Sequence, residues 1–486
     1  MSTQSTLQDT FEIDGYWWEF GKAESEQVHG TLNFSPDNGI RLETDGPLTD
    51  DEKPPLEPGF KLFPSGKEIP FIAGFTRYGE HIYLLDCLIA GKQLNFPGLA
   101  VHVYKAETLL ISSHNLSWDT PDGPLFKSFQ INLTHLEEWM SLSPIIQERG
   151  ETENGEAWFQ TRYVHTKNLL KITDLPGYVL SLSFAITAPT HLPLYNRIWQ
   201  QTTYFDIEAS EPKPLSWLRQ RVFELRHLVA VLSGEAIYPR EIKAFGDEID
   251  GRLVTVQVFY AAPRSRWAEK LQDFSIILRG SELIENNLER TFNLWSEKQE
   301  YLKPLTDHLL GIIYNSQLLV QSFLSLTQAL EGYHRRRIGG QYFSKEEYRP
   351  FQEALEATIA GFELAESERQ KELDDMKQSL TKGCVQYGYQ YSFLKRIKEL
   401  WSALEPEIQA YFNIDNPYLV TIKDTRNYYT HYDPEDENKA LKDASLNVAS
   451  TRLAALVLIL ILRELEIPVQ LQLQVLERLK QFRALK

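Results

Sequence analysis

Cysteine is nearly absent. Two residues in 486, Cys87 and Cys384, lie far apart without CxxC or Cys/His spacing. That excludes a disulfide framework and a zinc ribbon, and it fits a reducing compartment. No leader is expected either, because MSTQSTLQDTFEIDGYWW has no basic start followed by an apolar core. The longest apolar run, Leu453–Leu462 (LAALVLILIL), is about half of the ~20 residues a bilayer span needs and reads as a buried helix. The expectation is therefore a soluble, cytoplasmic chain with no membrane partner. Catalytic signatures are scarce too: no GxSxG, HExxH or GxGxxG occurs. Phe63-Pro64-Ser65-Gly66-Lys67-Glu68 lacks the first glycine and the Ser/Thr of a phosphate loop. The 11 histidines show no metal-ligand spacing, so neither metal nor cofactor is expected.

Positive charge is in deficit, with a net charge of −17. This argues against nucleic acid at first sight, since phosphate binding normally leaves a basic footprint. The deficit is uneven, however. Residues 1–300 hold 27 Lys+Arg against 42 Asp+Glu, and residues 301–486 hold 23 against 25. The acidity belongs to the first part, and a local basic site remains open in the second.

What is present is ordinary globular composition, 42% hydrophobic and 24% charged, in a chain long enough for two or three domains. The fold class expected is α+β multidomain, with a β-rich part at 1–290 and an all-helical bundle at 300–486. Strand patterns occur at Val28–Phe34, Ile69–Arg77, His81–Cys87, Leu99–Lys105, Phe159–Val164, Tyr178–Thr187, Gln200–Glu208 and Arg252–Ala261. Asp37-Asn38-Gly39 and Leu175-Pro176-Gly177 supply turns, and one amphipathic helix interrupts at Ser216–Ser233. Helices are then expected at Glu282–Glu300, Leu305–Arg337, Ser344–Leu380, Lys382–Ala403, Tyr418–Tyr432, Glu437–Leu465 and Val469–Leu485. Ser344 and Glu347 stand in capping-box relation.

One stretch carries chemistry: Thr421–Pro434, TIKDTRNYYTHYDP. Histidine titrates near neutrality and suits proton transfer, whereas arginine offers a permanent planar fork for phosphate oxygens. Arg426 and His431 could thus act on a ribose-phosphate linkage without a metal, with Asn427 orienting either group or holding a phosphate oxygen. On an unbroken helix residues five apart point roughly 140° away from each other. Convergence then needs a terminating turn, which Asp433-Pro434 suggests, or a second chain. Arg221 and His227 form a similar pair inside the Ser216–Ser233 helix and read as a helix surface. The bland reading of Arg426 and His431 is an ion-pairing arginine and a histidine interacting with a helix dipole.

Secondary candidates surround this pair. Gln317, Gln321, Gln328, Glu331 and Arg335 fall on one stripe of the Leu305–Arg337 helix. The stripe is either a solvent face or a cleft lining in which Glu331 supports Arg426 or His431. Arg335-Arg336-Arg337 could hold RNA phosphates or simply complement a helix end. Tyr428, with Tyr429 and Tyr432, could stack on a base or pack the bundle. Tyr16-Trp17-Trp18 reads as core packing before a binding surface.

The run IKDTRNYYTHYDPEDENKALKDASLNVASTRLAALVLILILRELEI resembles the signature of the ApeA-like HEPN family, in which an RN-x3-H turn precedes a long apolar helix. FLSLTQALEGYHRRR is similar to that family's first long helix, and GYWWEF…VHGTLNFS…GIRLETDG to its preceding β-rich domain. Glu466 stands where the family pattern has a terminal glycine. The resemblance implies a β-rich regulatory or sensing domain ahead of a HEPN ribonuclease. It implies a homodimer or higher homo-oligomer, with Arg426 and His431 catalytic. It further implies cleavage of tRNA in the anticodon loop, leaving a 2′,3′-cyclic phosphate, in abortive infection triggered by a phage component. The rival readings are a catalytically inactive HEPN dimerisation or nucleotide-binding module, and a ligand-binding β-rich protein with a helical oligomerisation tail.

Overall fold

A computed structural model describes residues 5–479 apart from 23–25, 50–65, 94–99, 117, 119, 121, 165–169, 188–198, 250–251, 264–275, 285–287, 316, 364–368 and 413. Residues 63–65 of the phosphate-loop decoy, residue 99 and the expected helix end at 480–485 lie outside the described residues. The chain divides into two compact units, Met1–Ser296 and Glu297–Lys486.

The first unit begins with six antiparallel strands: β1 (Phe11–Glu19), β2 (Val28–Ser35), β3 (Gly39–Thr44), β4 (Glu68–Thr76), β5 (His81–Gln93) and β6 (Val101–Ser112). They pair in the order β6-β3-β2-β1-β4-β5, and β5 pairs back onto β6, which closes a barrel. Closure satisfies every strand edge within the ring. Alternation sets the interior: Leu32 and Phe34 of β2 and Ile40 and Leu42 of β3 are buried. Of the aromatic triplet, Trp17 is fully buried and donates its indole N–H to the Gly30 carbonyl at 2.9 Å, while Tyr16 is 43% exposed. Gly74 of β4 lies under that indole, where a Cβ would come within 2.4 Å of the ring.

The sheet continues outward from β6. Next come β7 (Phe126–Leu133), a separate hairpin of β8 (Ile145–Glu151) and β9 (Ala157–Tyr163), then β10 (Leu170–Leu175), β11 (Tyr178–Thr187) and β12 (Gln200–Lys213). After β13 (Pro239–Ile249), β14 (Arg252–Phe259) pairs with the far end of β6, and the order runs β14-β13-β7-β12-β11-β10. α1 (Leu136–Met140), α2 (Leu215–Ser233) and α3 (Gly280–Ile284) complete the unit. α2 buries Leu218, Val222, Leu225, Val229 and Leu232, the face its periodicity predicts. The sequence reading missed β1, β3, β7, β8, β10 and β13. Outward-facing charges and glycines, as in FEIDGYWWE, blur their alternation.

The helical unit differs from expectation in where its helices break. α4 (Leu288–Tyr314) is continuous through Pro304, and the break falls after Tyr314, before α5 (Leu319–Arg337). Asparagine competes for backbone hydrogen bonds and favours such ends, which overrides the apolar run. Pro304 has no N–H for the Glu300 carbonyl, and Arg336 supplies a replacement donor at 2.7 Å. The expected Ser344–Leu380 helix is two: α6 (Lys345–Ala360), which ends at Gly361, and α7 (Gln370–Ser379), followed by a π-turn at Leu380–Val385. The Ser344–Glu347 capping box is formed in both directions.

α8 (Phe393–Ser402), α9 (Pro406–Phe412), α10 (Asn416–His431), a 3-10 turn at Pro434–Lys439, α11 (Asp443–Glu464) and α12 (Val469–Arg478) follow. α11 has 22 residues and is long and apolar enough to cross a bilayer by length and composition. The short apolar run therefore understated the helix. Leu453 and Ala455–Leu462 are nevertheless buried in the bundle, with α5 packed along them. Glu466 adopts a left-handed conformation, φ 56°, just past α11, where a glycine would be unstrained.

Candidate functional site

α10 starts cleanly because Asp415 accepts from the Tyr418 N–H and Pro417 occupies the first turn. It remains α-helical to His431 and stops at Tyr432, which is left-handed with φ 53°. Asp433-Pro434 thus acts beyond the pair, not between its members. The expected terminating turn does not bend His431 back toward Arg426, and five regular helical residues leave the two side chains diverging by roughly 140°. One chain does not bring them together.

Arg426 is held from two sides. Its Nη2 donates to Glu331 Oε2 of α5 at 3.1 Å, and its guanidinium lies 5.0 Å from the centre of the Phe393 ring of α8. Glu331, 18% exposed, also accepts from Arg335 at 2.8 Å through its other oxygen. Arg335 in turn reaches Gln390 at 2.5 Å. Three helices therefore fix one guanidinium at the rim of the bundle, with a face left toward solvent. His431 is exposed at the end of α10, and no hydrogen bond joins Asn427 to either residue. The segment after His431 is stitched back: Thr425 Oγ1 accepts from the Leu441 N–H at 3.0 Å, and the Tyr429 hydroxyl donates to the Leu441 carbonyl at 3.1 Å.

The polar stripe separates into two parts. Gln317 lies in the break before α5 and so leaves the stripe; Gln321 and Gln328 are exposed, whereas Glu331 turns to Arg426. The three arginines separate as well. Arg335 serves Glu331, Arg336 caps the Glu300 carbonyl, and Arg337 pairs with Glu464 at 2.9 Å. They do not form a common phosphate cradle. Tyr428 packs against Tyr429 and Tyr432 at 5.0 and 5.4 Å, and of the three Tyr432 is the open one, 60% exposed. The decoy pair is occupied locally: Arg221 binds Glu224 at 2.7 Å, and His227 lies 3.8 Å from Phe223, ring to ring.

Sequence reasoning missed two polar hubs behind the site. In the first, Arg396 is 1% exposed and donates to the carbonyls of Gly339, Gly340 and Tyr391. Its Nη1 also donates to His334 Nδ1 at 3.0 Å, which makes Nε2 the protonated nitrogen facing Glu399 at 2.9 Å. Burial pushes His334 below its ordinary value, even though Glu399 pulls the other way. Gly340 has φ 74°, and a Cβ there would meet His334 at 2.6 Å. In the second hub Glu464 receives Tyr333 at 2.6 Å, Arg337 at 2.9 Å, Lys298 at 3.1 Å and Tyr301 at 3.2 Å. Burial alone would raise this carboxyl, but these donors hold it down at about 2. Both hubs grip the C-terminal half of α5, which carries Glu331. The only hints in the sequence were a helical arginine at a core position and an acidic residue ending an apolar helix.

Among the described residues no group of three His, Cys, Asp or Glu side chains is placed to hold a metal ion. No curated protein and no solved structure matches the chain. Two family models do. ApeA N-terminal domain 1 matches residues 12–294, and Apea-like HEPN matches residues 324–471, the span holding Glu331, Phe393, Arg426 and His431. A HEPN domain implies ribonuclease activity in general, and its ApeA setting suggests abortive-infection defence. With both models matched in this order, the chain belongs to the ApeA-like HEPN family.

Proposed function

We propose that this protein is an endoribonuclease of the anticodon-nuclease type that arrests translation in phage-infected cells. The observation that supports it best is the Arg426 guanidinium, braced by Glu331 and Phe393 yet open on one side, five residues before an exposed imidazole on the same helix. His431 takes the proton of a ribose 2′-hydroxyl, and that oxygen attacks the adjacent phosphorus. The bond to the 5′-oxygen breaks, and that oxygen is protonated by a second imidazolium. Arg426 neutralises the charge that builds on the phosphoryl oxygens. The products are a 2′,3′-cyclic phosphate and a 5′-hydroxyl.

Because the two groups diverge on one helix, the working site in this reading is made by two copies, each facing its α10 end to the other. An unpaired loop of tRNA suits such a cleft, since in-line attack needs a flexible ribose. The β-rich unit is assigned to restraint and to sensing a phage-derived trigger, in the cytosol. Sequencing the RNA ends left by the purified protein on total tRNA tests the reading. Cyclic-phosphate ends clustered in anticodon loops, lost with His431→Ala, are expected. A His431→Ala protein that cuts as fast as wild type sinks it.

A further inference from the structure

The β-rich unit contains a cavity of about 380 Å³ between α2, the start of β3, the middle of β6 and the residues just after β14, within the ~300–1,000 Å³ range of small-molecule sites. Its lining is unlike the rest of this acidic unit. Lys105, Arg219 and Arg226 supply three cations against one carboxylate, Glu107. Arg219, Phe223 and Arg226 fall on one face of α2, at i, i+4 and i+7, so a single helix presents two guanidinium groups with a ring between them.

The cations are arranged rather than scattered. Arg219 donates to the Glu107 carbonyl at 3.0 Å, to its carboxylate at 3.3 Å and to the Thr108 hydroxyl, and it lies 5.3 Å from the centre of the Tyr260 ring. That anchoring sets one guanidinium before any ligand arrives. Arg226 lies 5.9 Å from the centre of the Phe223 ring, which already has His227 at 3.8 Å and, still 55% exposed, keeps open surface for a second planar group. Burial pushes the Tyr260 phenol up to about 12, so it stays a neutral hydroxyl beside the cations.

We propose that this cavity binds a free nucleoside phosphate, its base stacked on Phe223 and its phosphate held by Arg226 and Lys105 beside the fixed Arg219. Fixed arginines recognise phosphate oxygens, and aromatic faces accept any base, whereas an anion without a ring or a ring without charge satisfies only half the lining. The proposal does not depend on the ribonuclease reading, because every residue in it belongs to the β-rich unit.

Calorimetric titration of the full-length protein with AMP, GMP, adenosine and inorganic phosphate tests it. AMP or GMP is expected to bind one per chain, with adenosine and phosphate each at least about tenfold weaker. Arg226→Ala and Phe223→Ala should each weaken the nucleotide by about tenfold or more, with the thermal midpoint of the ligand-free protein unchanged. Three results would overturn the proposal. They are no heat with either nucleotide, inorganic phosphate binding as tightly as AMP, or both variants binding like wild type. A short oligoribonucleotide that displaces AMP at far lower concentration would replace the free nucleotide with an RNA end.

Discussion

The two units fill their interiors differently. Among the described residues, the bulkiest fully buried side chains of the β-rich unit are rings, Trp17, Trp139 and Tyr104, whereas in the helical unit the bulkiest is Arg396. A closed barrel needs volume at its axis, and Trp17 and Tyr104 supply it with one polar group each to satisfy: the indole N–H donates to the Gly30 carbonyl and the phenol oxygen accepts from the Leu48 N–H. A bundle of helices that must hold a guanidinium at a set position needs direction as well as volume. Hydrogen bonds provide direction, so charged groups appear where α5 must not rotate or slide. The difference separates an interior built for closure from one built to aim Glu331 at Arg426.

If that contrast is right, removing chemistry and removing support have different signatures. The largest effect is expected on cleavage. Arg426→Ala and His431→Ala should each lower the rate by about 10²–10⁴-fold, with the thermal midpoint nearly unmoved, while the look-alike changes Arg221→Ala and His227→Ala leave cleavage intact. Equal losses from both pairs, measured on one labelled RNA, would erase the distinction between the units.

Support comes next. Arg396→Ala leaves His334 and three carbonyls without their donor and should destabilise the helical unit by about 3–5 kcal/mol in urea unfolding. In the β-rich unit the equivalent stress is steric: Gly74→Ala drives a methyl into the Trp17 indole and should cost about 1–3 kcal/mol. A neutral Arg396→Ala would mean that the buried hub is dispensable and that packing alone positions α5.

Acid should produce the smallest change, to which both helical hubs contribute. Glu464 is held at about 2, below the ~4.3 of an unfolded glutamate, so its contribution is complete above that higher value and disappears as pH falls toward 2. His334, lowered by burial, adds a shallower loss that begins as pH drops below ~6.5, because the unfolded chain takes up the proton first. Urea midpoints measured at pH 7, 5 and 3 should fall in that order, and Glu464→Gln should flatten the lower step. A variant that keeps the wild-type slope there would assign the acid loss to other carboxylates.

Legibility followed sequence distance. α2, the capping box at Ser344 and the placement of Arg426 and His431 near a helix end were readable because each depends on residues within a few turns. Glu331 was visible only as one polar position on a stripe, since its choice of Arg426 over His431 spans 95 residues. The unbroken helix expected at Leu305–Arg337 failed because apolar periodicity does not register that one helix ends at Tyr314, just before Asn315, and that Arg336 repairs the proline inside it.

By itself the sequence determined a β-rich part followed by helices, an uneven charge and a candidate arginine–histidine pair near a helix end, because these are properties of composition and local period. Tertiary structure alone decided that the barrel closes through β5 and β6, that the three consecutive arginines have three separate duties, and that Glu331 holds Arg426. Each of those outcomes depends on which distant groups meet, and a hydrogen bond or a ring contact carries no mark in the local pattern of either partner.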